Sequence, residues 1–183
     1  SIGSELCRQI ASAKPEQLII FEIYENSAYD IEQELRRHYP DLPLLALVAS
    51  IRDRRKIFDV FEKYRPEIVF NAAAHKHVPL METSPCEAIK NNVFGTYNVA
   101  NCADKLGANS IELPAVKNLR EDTIIYKTIA QNVKNATLAI PVGFNVEDVA
   151  SVWECIKDAK NPRLQVELPV STIRMEYAYH VKQ

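Results

Sequence analysis

Apolar residues in this chain fall into two alternating rhythms. Short continuous runs at 17–22, 44–49, 67–71, 110–113, 136–142 and 163–170 have the length and Val/Ile/Leu content of strands buried in a parallel sheet. Between them, apolar positions recur at helical spacing. The pattern predicts helices over 4–12, 26–39, 52–64, 84–107, 121–134 and 145–159. Tyr29, Ile31, Leu35 and Tyr39 offer an inner face to the second helix, and Ile57, Val60 and Phe61 to the third. Ser84-Pro85-Cys86-Glu87 reads as a capping box with proline at the first helical position, and Gly107 as the matching stop. Asn145 is placed to cap a helix whose apolar stripe is Val146, Val149, Val152, Trp153 and Ile156. Residues 172–183 read as loop or a short helix.

Strict alternation of this kind predicts an α/β fold: a three-layer, Rossmann-like architecture with a mainly parallel sheet of about six strands and helices on both faces. The expectation is a single compact domain, 1–183, rather than a closed barrel, which uses about eight strands. The strand and helix periods are architectural, with no sequence repeat and no low-complexity linker.

Composition narrows the function classes. A net charge of −2 and a pI of about 6.1 provide no electrostatic footprint for nucleic acid or an acidic membrane. The partner expected is a small nucleotide, with no nucleic acid and no membrane, and oligomeric state left open. The four cysteines, Cys7, Cys86, Cys102 and Cys155, form no C-x-x-C pair, which predicts free thiols in a reducing, cytoplasmic setting and argues against zinc.

Candidate chemistry concentrates early. Gly3 lies in the first turn of a helix, where backbone amides can face a pyrophosphate. Glu22 ends the following strand run about 20 positions later, the interval at which a dinucleotide fold sets a carboxylate against the adenosine ribose. After the run at 67–71 come Ala72, Ala73 and Ala74, small enough to admit a ligand close to the backbone, then His75, Lys76 and His77. His75 and His77 lack a carboxylate or cysteine partner in sequence, so no metal is expected there.

These segments, with Ile31-Glu-Gln-Glu-Leu35, Arg65-Pro-Glu-Ile-Val-Phe70 and the run from Pro85 through Asn91-Asn92-Val-Phe-Gly95-Thr96, resemble the nucleotide-sugar 4,6-dehydratases of capsule polysaccharide biosynthesis, extended short-chain dehydrogenases. The resemblance covers 1–107. It implies an NAD(P) site in which Gly3 is the last glycine of the phosphate fingerprint and Glu22 lies near the ribose. Ala72, Ala73 and Ala74 would line the cofactor, with His75, Lys76 and Asn92 at its nicotinamide and sugar end. The sequence departs from that pattern in several places. The first strand and earlier glycines are absent, Ser50 stands where the family usually has aspartate, and the Ser-Thr-Asp-Lys and Tyr-or-Met-x-x-x-Lys segments do not follow residue 107. Tyr126-Lys127 lacks the required spacing.

From about residue 108 the chain resembles instead a fragment of a 2-isopropylmalate synthase-like (β/α)8 barrel, through 145–161 and the run Pro162-Arg-Leu-Gln-Val through Met175-Glu-Tyr177. That family's metal motif is not present, and His180 reads as a lone surface histidine. Two partial domains, 1–107 and 108–183, joined without a linker imply an engineered chimeric scaffold with no evolved activity, no catalytic residues and no resident cofactor beyond a weakly held NAD or NADP. The alternative is an NAD(P)-dependent nucleotide-sugar 4,6-dehydratase of the UDP-N-acetylglucosamine type. A Rossmann sheet without its first strand has unpaired inner edges. Either an upstream strand lies outside this sequence or the run at 163–170 fills the gap.

Overall fold

The computed structural model describes residues 2–75, 77–116, 119–143, 146–167 and 170–171. Expectations placed on Lys76, Asn145 and 172–183 lie outside them. The chain forms two compact units, Ser1–Cys102 and Ala103–Gln183.

The first unit begins with helix α1 (Ile2–Ser12), strand β1 (Leu18–Glu22), helix α2 (Glu25–His38), strand β2 (Leu44–Val48) and helix α3 (Arg54–Tyr64). β1 and β2 pair in parallel from Leu18↔Leu44 to Glu22↔Val48. Leu18 and Ile20 turn to the same face of β1, as the two-residue strand period requires. With Ala11 of α1 and Ile31 and Leu35 of α2 they make a buried cluster, edged by Cys7, Ile10, Tyr39, Leu42, Leu44 and Ala46. α3 opens at Asp53 rather than Arg52, because the Asp53 carboxylate accepts the Lys56 amide at 3.0 Å and caps the helix.

The expected strand at 67–71 does not form; that stretch carries no regular structure. Ile68 is 73% and Phe70 59% exposed. An apolar run becomes a strand only when a neighbour answers its amides and carbonyls, and no described residue pairs with this one.

Beyond it lie the short helices α4 (Val78–Thr83) and α5 (Pro85–Ala88), a π-helix (Ile89–Gly95) and helix α6 (Thr96–Lys105). From Pro85 onward these last three run on as one helix with a widened turn in the middle. The capping box at its start is not made. Ser84 is the N-cap residue without a side-chain cap bond, and the Glu87 carboxylate is taken by Arg52 at 2.5 Å and Lys90 at 2.8 Å. At the far end Gly107 has φ 95°, the left-handed conformation that glycine adopts at little cost, and the Ala108 amide reaches back to the Ala103 carbonyl at 2.9 Å.

The second unit holds strand β3 (Ser110–Glu112), helix α7 (Leu119–Asn132), strand β4 (Thr137–Val142), helix α8 (Val146–Ile156) and strand β5 (Pro162–Val166). Its sheet is parallel, in the order β3-β4-β5. β4 is central, and Leu138, Ala139, Ile140 and Val142 are all buried. Pro141 is tolerated there because β3 ends at Glu112, opposite Ala139, so the side on which Pro141 lacks an N–H has no strand to answer. α8 buries Val152, Cys155 and Ile156. Val146 and Trp153, expected in its apolar stripe, are exposed, and Cys155 takes the inward position instead.

The fold is thus mixed α/β with parallel pairing, as expected, but the described residues hold five strands in two small sheets, not six in one. β5 does not fill a gap beside β1; it pairs with β4. Among the described residues no helix is long and apolar enough to cross a membrane.

One buried carboxylate organises the entry to β4. Asp104 Oδ1 accepts the amides of Asn135 and Ala136, each at 2.7 Å, and Oδ2 that of Lys134 at 2.9 Å. Burial alone would raise this carboxyl, but the three amides and the Asn135 side chain outweigh it and hold it below the ordinary 3.8. A depressed folded value means stabilisation that is fully present above the unfolded value and lost as pH falls through the folded one. Asp104→Asn should therefore cost about 1–3 kcal/mol near neutral pH, by leaving an amide unanswered. In urea titrations the gap between the two proteins should close at pH values below the aspartate range; a gap independent of pH would count against the carboxylate's role.

Candidate functional site

The sequence candidates fall into two groups. Gly3 sits half-buried in the first turn of α1, where N–H groups have no partner within the helix. α1 packs on β1, whose last residue is Glu22. The Glu22 carboxylate folds back over the turn that follows, where Oε1 accepts the amides of Ile23 at 2.8 Å and Tyr24 at 3.0 Å. Those bonds fix its direction and leave acceptor capacity on a group with about four lone-pair sites.

The second group is the segment 71–75. Asn71, Ala72, Ala73 and Ala74 are exposed and His75 half-buried, so the segment presents backbone and methyl groups outward. Its position is set from the helical run behind it. Asn92 makes two bonds to one residue: its Oδ1 accepts the His75 amide at 2.8 Å and its Nδ2 donates to the His75 carbonyl at 2.9 Å. Asn91, buried, donates to the Ala73 carbonyl and to Asn92 Oδ1. Asn71 donates to Thr96 Oγ1 at 3.4 Å. The structure therefore joins His75 to Asn92 directly, and Ala73 to Asn92 through Asn91. Gly3 and Glu22 belong to separate elements, and no hydrogen bond links them to 71–75 among the described residues. Lys76 lies outside the description. Among the described residues no group of three or more His, Cys, Asp or Glu is gathered to hold a metal ion.

The same helical run holds a second loop, which sequence reasoning missed. After β2, Ser50 Oγ accepts the Arg52 amide at 3.2 Å, and Arg52 reaches Glu87. Asn98 donates to the Ile51 carbonyl at 3.1 Å and more distantly to that of Arg52. Gly95 meets Ile51 so closely that an added Cβ would lie 2.6 Å from the isoleucine Cδ1. Glu87, Asn91, Gly95 and Asn98 recur at intervals of three or four, the spacing of one helix face, and that polar and small stripe was the available signal.

Tyr126, in the Tyr126-Lys127 pair, is buried. Its hydroxyl donates to the Pro114 carbonyl at 3.0 Å, and burial, with Asp122 and Cys155 adding to it, pushes it up to about 12. Another cleft, of about 200 Å³, lies between α1 and α2, lined by Ser4, Arg8, Ser27, Asp30, Ile31 and Glu34. The Arg8–Glu34 pair, with bonds of 2.6 and 2.9 Å, spans its lining, and it is remote in chemistry from the strand ends.

Comparison with known proteins bears on the same residues. Residues 1–113 match the polysaccharide biosynthesis protein family. Over 114 residues the chain is 46% identical to a probable polysaccharide biosynthesis protein, EpsC, of Bacillus subtilis, covering 62% of this chain and 19% of that protein. Over 104 residues it is 45% identical to the capsular polysaccharide biosynthesis protein CapD of Staphylococcus aureus, covering 56% and 17%. The chain thus spans less than a fifth of each of these relatives. A UDP-glucose 4-epimerase of Stenotrophomonas maltophila, solved with bound NAD and formylated UDP-arabinopyranose, superposes with a TM-score of 0.57 at 16% identity, over 78% of this chain and 48% of that one. That likeness shows a shared Rossmann-like fold. The second resemblance is weaker: 30% identity over 79 residues to the 2-isopropylmalate synthase of Syntrophus aciditrophicus, covering 43% of this chain and 15% of that protein. The expectation of an engineered scaffold without evolved activity is overturned, because natural biosynthesis proteins share close to half of the residues over the matched segment.

The close approach of helix and loop yields a stability test. Glycine to alanine inside a helix normally stabilises by about 1 kcal/mol. At Gly95 the sign should invert, with a loss of about 1–3 kcal/mol from overpacking against Ile51. In Ile51→Ala, which removes the crowding atoms, adding Gly95→Ala should cost nothing further. Equal penalties in both backgrounds, read from thermal or urea unfolding, would disprove the contact.

Proposed function

The chain belongs to the polysaccharide biosynthesis protein family, and on that premise we propose that it provides the dinucleotide-binding part of an NAD-dependent enzyme that modifies nucleotide sugars, a 4,6-dehydratase acting on a substrate of the UDP-N-acetylglucosamine type. The observation that carries this reading is the 71–75 segment: three exposed alanines on a backbone fixed by two asparagine side chains. A planar ligand can approach such a wall to backbone distance, and the wall does not have to be ordered on binding. Its partners in the reading are the first-turn amides of α1 and the oriented carboxylate of Glu22.

The donor set suits the group. Amides at a helix start complement a pyrophosphate. A carboxylate held by neighbouring amides complements ribose hydroxyls and repels a 2′-phosphate, so NAD is the form of cofactor expected. NAD, when bound, supplies reversible hydride transfer at the sugar. The part assigned to this chain is binding and orientation: Gly3 keeps the phosphate approach open, Glu22 holds the ribose, Ala72, Ala73 and Ala74 line the cofactor, and His75 and Lys76 stand toward the nicotinamide and sugar end.

Titration with NAD, followed by thermal shift and calorimetry, tests the reading. A ligand that binds only the folded state at about 100 times its Kd adds about 2.7 kcal/mol of apparent stability. NAD should raise Tm more than NADP does. Gly3→Val should abolish the shift by filling the phosphate approach, and Glu22→Ala should erase the preference for NAD. No shift with either dinucleotide, or one that both substitutions leave intact, would show the reading to be wrong.

A further inference from the structure

We propose that Asn91 and Asn92 are positioning residues for the 73–75 wall, standing in for a β-strand with side-chain amides and acting on a bound dinucleotide only through that wall. The role of the wall rests on the nucleotide-binding reading above; the strap itself does not.

Residue 75 shows the substitution most clearly. A residue in a sheet has its N–H and C=O answered by a neighbouring strand. At His75 both are answered by one primary amide, which offers an acceptor and a donor side by side: Oδ1 takes the N–H at 2.8 Å and Nδ2 gives to the C=O at 2.9 Å. Two residues back, the Ala73 carbonyl is answered by Asn91 Nδ2. Residues two apart share a side wherever a chain is extended, and the two bonds repeat at that two-residue interval. No strand does this work, because the segment has none beside it among the described residues.

Consecutive helical residues normally point about 100° apart, which sends one of them away from a common target. Asn91 and Asn92 lie in the widened turns of the π-helix Ile89–Gly95, and both reach the same segment. Widened turns of this kind are rare within helices and frequently stand at functional sites. Each asparagine also steadies the other, since Asn91 Nδ2 donates to Asn92 Oδ1 at 3.1 Å. Both lone pairs of Asn92 Oδ1 are taken, by the His75 amide and Asn91 Nδ2, and one Nδ2 hydrogen goes to the His75 carbonyl, so three of the side chain's four bonding positions serve the strap. It sets where the His75 ring and the Ala73–Ala74 backbone stand.

Asn92→Asp tests this with no change of shape. The carboxylate has no proton for the His75 carbonyl and is repelled by it, so the paired contact opens and the His75 amide loses its fixed acceptor. Asn91→Leu removes the second bond while keeping the site filled. Two readouts on the full chain decide the matter. The first is hydrogen exchange of the His75 amide in the absence of ligand, which is expected to speed up in both variants while amides of β1 and α2 keep their rates. The second is the affinity for NAD beside that for AMP. AMP reports the ribose–adenine end and should change less than NAD, whose affinity should fall about tenfold, the worth of one lost hydrogen bond. Unchanged exchange at His75 overturns the strap. Faster exchange with NAD affinity intact, or equal losses for NAD and AMP, overturns the positioning role. If the unaltered chain binds neither nucleotide, the functional reading fails and the positioning role with it, while exchange at His75 still decides the strap.

Discussion

One face of the helical run from Pro85 to Lys105 fastens both loops of the candidate site. Glu87 takes Arg52, Asn91 and Asn92 take Ala73 and His75, Gly95 lets Ile51 approach, and Asn98 takes the Ile51 carbonyl. The loop after β2 and the segment 71–75 are far apart in sequence, and each is short of backbone partners of its own. Fixed to a common support, they behave as two edges of one body. The π-helix is part of that fastening, since it widens the turn where two adjacent side chains must serve one target.

Backbone polar groups have to be answered, and the first unit answers them in two different ways. β1 and β2 do so as a parallel pair, with α1 and α2 covering the Leu18–Ile20 face. The segment 71–75 does so through asparagines. The second unit relies on a carboxylate in the same manner. Asp104 collects three successive amides ahead of β4, and the strand that follows is the most deeply buried of the described strands. Side chains do at these places what a sheet does elsewhere.

Elements with their own period were legible in the sequence. The apolar run at 17–22, the Ile57–Val60 face of α3 and the stop at Gly107 all appear within a residue or two of where pattern places them. Partner-dependent features were not. The run at 67–71 has strand composition and no strand, because composition states what a segment can bury and not whether anything lies beside it. The Ser84–Glu87 box failed for a related reason: Glu87 had better-charged partners in Arg52 and Lys90. In α8 the inward place went to Cys155 rather than Trp153, a change of about 160° in facing that small differences in helix rotation decide. Of the candidate site, Gly3 and Glu22 were legible as residue types at a helix start and a strand end, and the alanines as small residues after an apolar run that forms no strand. Asn91 was not, since its function lies in the turn it occupies.

The exposed stretch Ile68-Val69-Phe70 has a consequence for how this polypeptide behaves in concentrated solution. Three neighbouring β-formers with open main-chain groups are a template for self-association between copies. Arg65, Pro66 and Glu67 stand directly in front of them, two charges and a residue that cannot donate to a ladder, and act as gatekeepers on that side. On the other side stands Asn71, uncharged. Colloidal stability is therefore guarded from one direction only, and salt that screens Arg65 and Glu67 weakens the guard.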